Sequence, residues 1–217
     1  MYRQALENRA ELDADRRIFA VTLGNILAKN KPLIYFDETA FTTWSIQEKS
    51  WCTASVPNCH VLNRSRETVT VFGAISVNAM TKPAVYMFGR STNAVDVDRF
   101  LRLVANHIRA DVCKPYLLYD GHRSHTGQAI QSLISQYFTD LRNVPYSCEF
   151  NAIETVWSVA KHYFAKRLLL RREHINRADF EALVWKALMD VNRQTYRGLF
   201  VANRTYIRSV LKTAVVA

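Results

Sequence analysis

"LIYFDE", residues 33–38, is a short apolar burst of strand type that runs directly into two acids, Asp37 and Glu38. Pro32, immediately upstream, forces a break after a charged amphipathic helix expected over residues 3–28. "PYLLYD", residues 115–120, repeats the pattern, with an apolar run that closes on Asp120. Each carboxylate would therefore sit at the carboxyl end of a buried strand, the edge where open α/β sheets gather their ligands. Neighbouring strands lie about 4.8 Å apart, so two such aspartates can reach one ion.

The elements around these two strands set the fold class. "TVTVFGAISV" (68–77) has the β-branched content of a strand, with Gly73 as a bulge or a point of close approach. "PAVYMFG" (83–89) makes a second strand, and the turn "NAMTK" between them predicts an antiparallel hairpin. Apolar residues at 97, 100, 101, 104 and 108 predict a helix over 94–110. A helix over 126–138 and a short strand at 141–145 ("LRNVP") follow, and then helices over 151–170, 178–193 and 203–213. The sum is an α/β protein, a mixed sheet of about five strands flanked by helices, with a helical C-terminal part.

Composition narrows the class of partner. Of 217 residues, 29 are Lys or Arg against 19 Asp or Glu, a formal charge of +10, which favours a polyanion and nucleic acid first. Hydrophobic residues at 49% and charged residues at 22% argue against disorder. Cys52, Cys59, Cys113 and Cys148 form no C-x-x-C pair, so neither a structural zinc site nor a disulfide framework is expected. "MYRQALENRAELDADRR" carries charge where a secretory signal would be apolar, and no run approaches the ~20 apolar residues of a membrane span. The expectation is a soluble, intracellular chain with no membrane partner.

A third acid lies in "NAIETVWSVAK" (151–161), where Glu154 interrupts the apolar stripe of Ile153, Val156, Trp157 and Ala160. Near a helix start it favours the positive end of the dipole. Its neighbours at i+3, i+4 and i+7 are Trp157, Ser158 and Lys161, so Lys161 would lie on the same side, placed to meet a phosphate. Three carboxylates suit Mg²⁺ or Mn²⁺, hard ions that prefer oxygen donors. Two such ions about 3.5–4 Å apart can clamp the attacking and leaving oxygens of a phosphoryl displacement. Spacing alone leaves a second reading open, in which the three acids merely cap strand and helix ends.

Four ordered motifs resemble the catalytic domain of mariner-type cut-and-paste transposases and their bacterial insertion-sequence relatives, over nearly the whole chain from residue 31. "LIYFDETAF" is similar to the first-strand motif, and "WSIQEKSW" with "TVTVFGAIS" to the tryptophan-bearing segment and its Gly-Ala-Ile strand. "LLYDGHRSH" resembles the motif with a histidine five residues after an aspartate, and "VPYSCEFNAIETVWSVAK" the Asn-Pro-Ile-Glu motif. The acids are separated by 82 and then 33 residues, and the short second gap is similar to that of the family.

The resemblance implies an RNase H-like fold and a DDE triad of catalytic metal ligands at Asp37, Asp120 and Glu154, holding two Mg²⁺ or Mn²⁺ ions. It implies hydrolysis at transposon ends, then attack of the freed 3′-hydroxyl on target DNA, carried out by a homodimer on DNA. Nuclear residence follows if the host is eukaryotic, and cytoplasmic residence otherwise. His125, Asn151 and Lys161 are secondary site candidates. Residues 1–30 are expected to be a helical linker ahead of a catalytic domain over 31–217, because 30 residues are too few for the helix-turn-helix modules of such relatives.

The chain departs from the family pattern in two places. Asp120-Gly121-His122 stands where relatives have Asp-Asn-Ala, and Ala152 stands where they have Pro. These changes keep two alternatives in view, a decayed or domesticated copy that only binds DNA or protein, and a different RNase H-like nuclease. Trp44, Trp51 and Trp157 read as packing residues rather than base-stacking platforms. "KRLLLRRE" (166–173) reads as a helix with one buried face and snorkelling arginines within reach of phosphate.

Overall fold

The computed structural model describes residues 9–43, 67–76, 84–89, 91, 93–108, 114–169, 175–191 and 193–213. The order of elements is α1 (Arg9–Ala28), β1 (Leu33–Thr42), β2 (Thr68–Ser76), β3 (Ala84–Gly89), α2 (Ala94–Ile108) and β4 (Tyr116–Tyr119). Then come α3 (Gln128–Tyr137), β5 (Thr139–Arg142), α4 (Ile153–Leu169), α5 (Arg177–Met189) and α6 (Arg193–Thr213). The strands form one sheet in the order β3-β2-β1-β4-β5. β1, β2 and β3 pair antiparallel, and β4 and β5 run parallel to β1.

Alternation along β1 explains the two-sided core. Leu33, Tyr35 and Phe41 point into one apolar cluster with residues of α1, α4, α5 and α6. Ile34 and Phe36 point into the other, built with α2 and α3. Helices therefore cover both faces, and a strand buried on both sides reads as an unbroken apolar run. On α4, Ile153, Val156, Trp157, Ala160, Phe164 and Leu168 are all buried, a stripe at helical spacing that fixes which side meets the sheet. Side-chain caps start two helices: Asn93 Oδ1 accepts from the Asp96 N–H at 2.8 Å, and Asn176 Oδ1 from the Asp179 N–H at 2.9 Å.

Several expected boundaries are corrected. β1 continues to Thr42 because its far half pairs with β2 from Asp37↔Gly73 to Thr42↔Thr68, so Asp37 is the fifth residue of a ten-residue strand. The strand expected at 141–145 begins at Thr139, because the chain passes from α3 directly into pairing with β4 at Tyr116↔Thr139. α6 begins ten residues before the expected 203. Burial of Tyr196 and Leu199 on the face that also carries Asn203 and Ile207 outweighs the roughly 1 kcal/mol cost of Gly198 inside a helix. Helix α1 shares the main core through Phe19, Ala20, Leu23 and Ile26. Trp44, Trp51, the turn at 78–82 and residues 170–173 lie outside the described residues.

Candidate active site

Parallel pairing runs Leu33↔Tyr116, Ile34↔Leu117 and Tyr35↔Leu118, so the same offset two residues further brings Asp37 level with Asp120. β4 ends at Tyr119, and Asp120 leaves the sheet where β1 carries on beside β2. Glu154 lies in the first turn of α4, the helix packed over this part of β1 and β2. Glu154 is coupled to both aspartates. Burial first, then the charges of Glu154 and Glu38, push the Asp37 carboxyl up to about 8, against the hydrogen bonds it accepts from Trp157 and the Glu38 N–H. Burial also raises Glu154, with Asp120 adding to the rise and Lys161 opposing it. Asp37, Asp120 and Glu154 thus lie near one another where β4 ends beside the middle of β1, with Lys161 exposed and coupled to Glu154.

Asp37 is held by an arrangement that spans three elements. The Trp157 indole Nε1–H donates to Asp37 Oδ2 at 2.9 Å. The same indole lies over Gly73, the residue paired with Asp37 across β1 and β2. A Cβ at position 73 would stand 2.3 Å from Trp157 Cη2 and 3.1 Å from Ile153 Cδ1, so only glycine leaves room for the ring. Gly73 is therefore a point of close approach, as its place in the strand predicts, and Trp157 is a core residue as expected. That Trp157 also positions a carboxylate was not apparent from the sequence. Its place one turn after Glu154 was the available signal.

Successive side chains of β1 face opposite ways, so Glu38 points to the other side of the sheet from Asp37. There it meets His125, which is 1% exposed at its side chain. His125 Nε2 lies 2.9 Å from Glu38 Oε2, and His125 Nδ1 lies 2.7 Å from Asp120 Oδ1. Burial works against a charge on His125, but the bonds and charges of Asp120 and Glu38 outweigh it and hold the imidazolium up to about 10. Asp120 is lowered in turn. Burial opposes this, and the His125 bond, the His122 N–H donated to Oδ1 at 3.0 Å, and the charges of both histidines overcome it. His125 thus reaches Asp120 directly, whereas Asn151 works on the backbone: its Nδ2 donates to the Phe36 carbonyl at 3.1 Å and ties the start of α4 to β1. Glu38 and His122 were not among the candidates read from sequence. The spacing His-x-x-His at 122–125 was visible, but its partner on β1 was not.

The sequence profile of the DDE superfamily endonuclease family matches residues 32–184, which include all three acids. The chain belongs to this family. Among solved structures, the DDE superfamily chain described here is similar to the catalytic domain of Mos1 mariner transposase, with a TM-score of 0.64 at 11% identity over 94% of this chain and 93% of that one. It is similar also to the Mos1 transposase paired-end complex with left transposon end (TM-score 0.69, 13% identity, 94% of this chain) and to the Mos1 paired-end complex with Mn (TM-score 0.68, 13% identity). The likeness establishes the fold, an RNase H-like sheet with helices on both faces. The DDE superfamily chain spans 62% of the length of the Mos1 chain in those complexes. No curated protein matches it.

Proposed function

We propose that this chain is the catalytic domain of a mariner-type DNA transposase, which hydrolyses phosphodiester bonds at transposon ends and then joins the freed 3′ end to target DNA. The observation that carries the reading is the coupling of Glu154 to both Asp37 and Asp120, in a family member with a charge of +10. Supporting it, the Mos1 structures similar to this chain include a strand transfer complex and paired-end complexes with Mn and with Mg.

The donor set fits a hard divalent cation. It is oxygen-only, and the cost of ionising the buried Asp37 beside Glu154 is a cost that a cation removes. Asp37, Asp120 and Glu154 would hold Mg²⁺ or Mn²⁺, with two ions as the proposed number. When bound, such an ion polarises the phosphoryl oxygen and lowers the pKa of the attacking water or 3′-hydroxyl.

The protein's own contribution is placement. Trp157 fixes Asp37 through its N–H, and His125 fixes Asp120 through Oδ1. Asn151 anchors the turn that delivers Glu154, and Lys161 offers a cation to a DNA phosphate. DNA is thus the proposed partner, engaged by a homodimer. The cell compartment follows the host, nuclear in a eukaryote and cytoplasmic otherwise.

The test is cleavage of duplex carrying transposon ends, in Mg²⁺ and in Mn²⁺. Asp37→Ala, Asp120→Ala and Glu154→Ala should each abolish cleavage while circular dichroism shows an intact fold. Cleavage by Glu154→Ala at the wild-type rate would overturn the proposal. Tight DNA binding by the wild type without any cleavage would instead identify a decayed copy, and cleavage without joining a different nuclease.

A further inference from the structure

We propose that Glu38, His122 and His125 form a second metal site, distinct in chemistry from the carboxylate cluster and suited to Zn²⁺ or a neighbouring transition metal. The three residues each offer a donor atom, and these atoms all lie within 4.8 Å of one another. Their separations match a coordination shell. Bonds of about 2.0–2.1 Å at tetrahedral angles set ligand atoms roughly 3.3 Å apart, between the two separations seen here. Glu38 Oε2 and His125 Nε2 are 2.9 Å apart, and Glu38 Oε1 and His122 Nδ1 are 3.9 Å apart.

The surroundings support the ligands as a metal site's second layer would. A ligating histidine usually gives its other ring nitrogen to a carboxylate or carbonyl, which fixes the tautomer and orientation. His125 does so, with Nδ1 2.7 Å from Asp120 Oδ1 and Nε2 left toward Glu38. Its ring is wedged against Phe36 and Tyr119, and Gln131 Nε2 donates to its carbonyl at 2.8 Å. The His122 ring is placed by Ser124, whose Oγ lies 2.7 Å from Nδ1 and whose N–H points at the same atom from 3.4 Å. A metal at Nδ1 would take the single lone pair that Ser124 meets, so Ser124 would have to yield that contact on binding. Two side chains of the set are nearly sequestered, while His122 is 45% exposed, which gives a route for entry and a position for water.

Donor chemistry decides the ion. Two imidazoles and one carboxylate favour Zn²⁺, Co²⁺ or Ni²⁺ over Mg²⁺, whereas the oxygen-only cluster has the opposite preference. Glu38 and Asp37 face opposite sides of the sheet, so the two sites are separate, and Asp120 serves the second only through His125. The site depends on His122, the most exposed of its three ligands.

The experiment is calorimetric titration of the protein with Zn²⁺ in excess Mg²⁺, alongside Co²⁺ titration followed by visible absorption. One Zn²⁺ per chain is expected, with Co²⁺ bands of nitrogen and oxygen ligation and no intense thiolate charge-transfer band. His122→Ala and Glu38→Gln should each weaken binding at least tenfold, and Glu154→Gln should leave it unchanged. His122 is half-exposed, so His122→Ala should melt like the wild type. No Zn²⁺ uptake in the presence of Mg²⁺ would overturn the proposal. So would an affinity unchanged in His122→Ala, a thiolate band, or loss of binding in Glu154→Gln. None of these results bears on Mg²⁺-dependent cleavage, which stands or falls by the alanine series above.

Discussion

Replacing Gly73 by alanine puts one methyl group where the Trp157 ring now lies. The new Cβ would meet Trp157 Cη2 at 2.3 Å and Cζ2 at 2.7 Å, when ordinary contact begins near 3.4 Å. The indole must therefore retreat by about 1 Å, and overpacking of this kind costs about 1–3 kcal/mol. The same retreat stretches the 2.9 Å bond to Asp37 beyond useful length, and a hydrogen bond to a charged group contributes about 1.5–3 kcal/mol. Gly73→Ala should thus lose roughly 2.5–6 kcal/mol of unfolding free energy with Asp37 ionised, the sum of those two effects. Trp157→Phe removes the N–H and the two colliding ring atoms together, at roughly 2–4 kcal/mol.

The double variant should be little worse than Trp157→Phe alone, because the clash is gone and the bond can be lost only once. Urea unfolding of the four proteins at one pH measures this, and the coupling should exceed about 1 kcal/mol. Cleavage should fall in both single variants through misplacement of Asp37. Additivity of the two stability changes within about 0.5 kcal/mol would refute the reasoning that one ring links Gly73 to the carboxylate.

Three further outcomes follow from the same geometry. Asp37 is held at about 8 in the folded chain, so between the unfolded carboxylate value of about 3.9 and that point the folded state binds the extra proton. The associated stability is present below the lower value and is lost as pH rises through about 8. In chelator the wild type should lose thermal stability from pH 5 to 8.5 more than Asp37→Asn does, and Mg²⁺ should restore more at the upper pH; parallel pH curves for the two proteins would count against this. Asn203 accepts from the Tyr35 hydroxyl and donates to the Glu149 and Phe150 carbonyls, each at 3.1 Å, so Asn203→Ala strands three buried groups. It should cost about 2–4 kcal/mol in urea unfolding while cleavage falls far less than in Glu154→Ala. Binding to duplex DNA should weaken steeply with added salt, and Lys161→Ala should reduce the slope of log affinity against log salt by about 1. An unchanged slope would remove Lys161 from the phosphate contacts.

Sequence patterning carried most of the sheet and the approximate place of every helix, because each is written in local periodicity. Period-two and unbroken apolar runs mark β1, β2, β3 and β4, and the spacing of Val97, Phe100, Leu101 and Val104 marks α2. The early start of α6 was hidden, because its first turns are held by Tyr196, whose hydroxyl bonds that of Tyr86 110 residues away. β5 was displaced for a similar reason: its register is set by β4, not by its own composition.

The three acids stand out as candidates in the chain alone, since each ends or interrupts an apolar run, where a charge is expensive and asks for a reason. What holds them does not. The bond from Trp157 to Asp37, the room left by Gly73, and the bridge from Asp120 through His125 to Glu38 join residues up to 120 positions apart. A residue's hydrogen-bond partner is fixed by which faces meet when strands pair and helices dock. Local sequence determines that each face exists, and only the packed molecule decides what it meets.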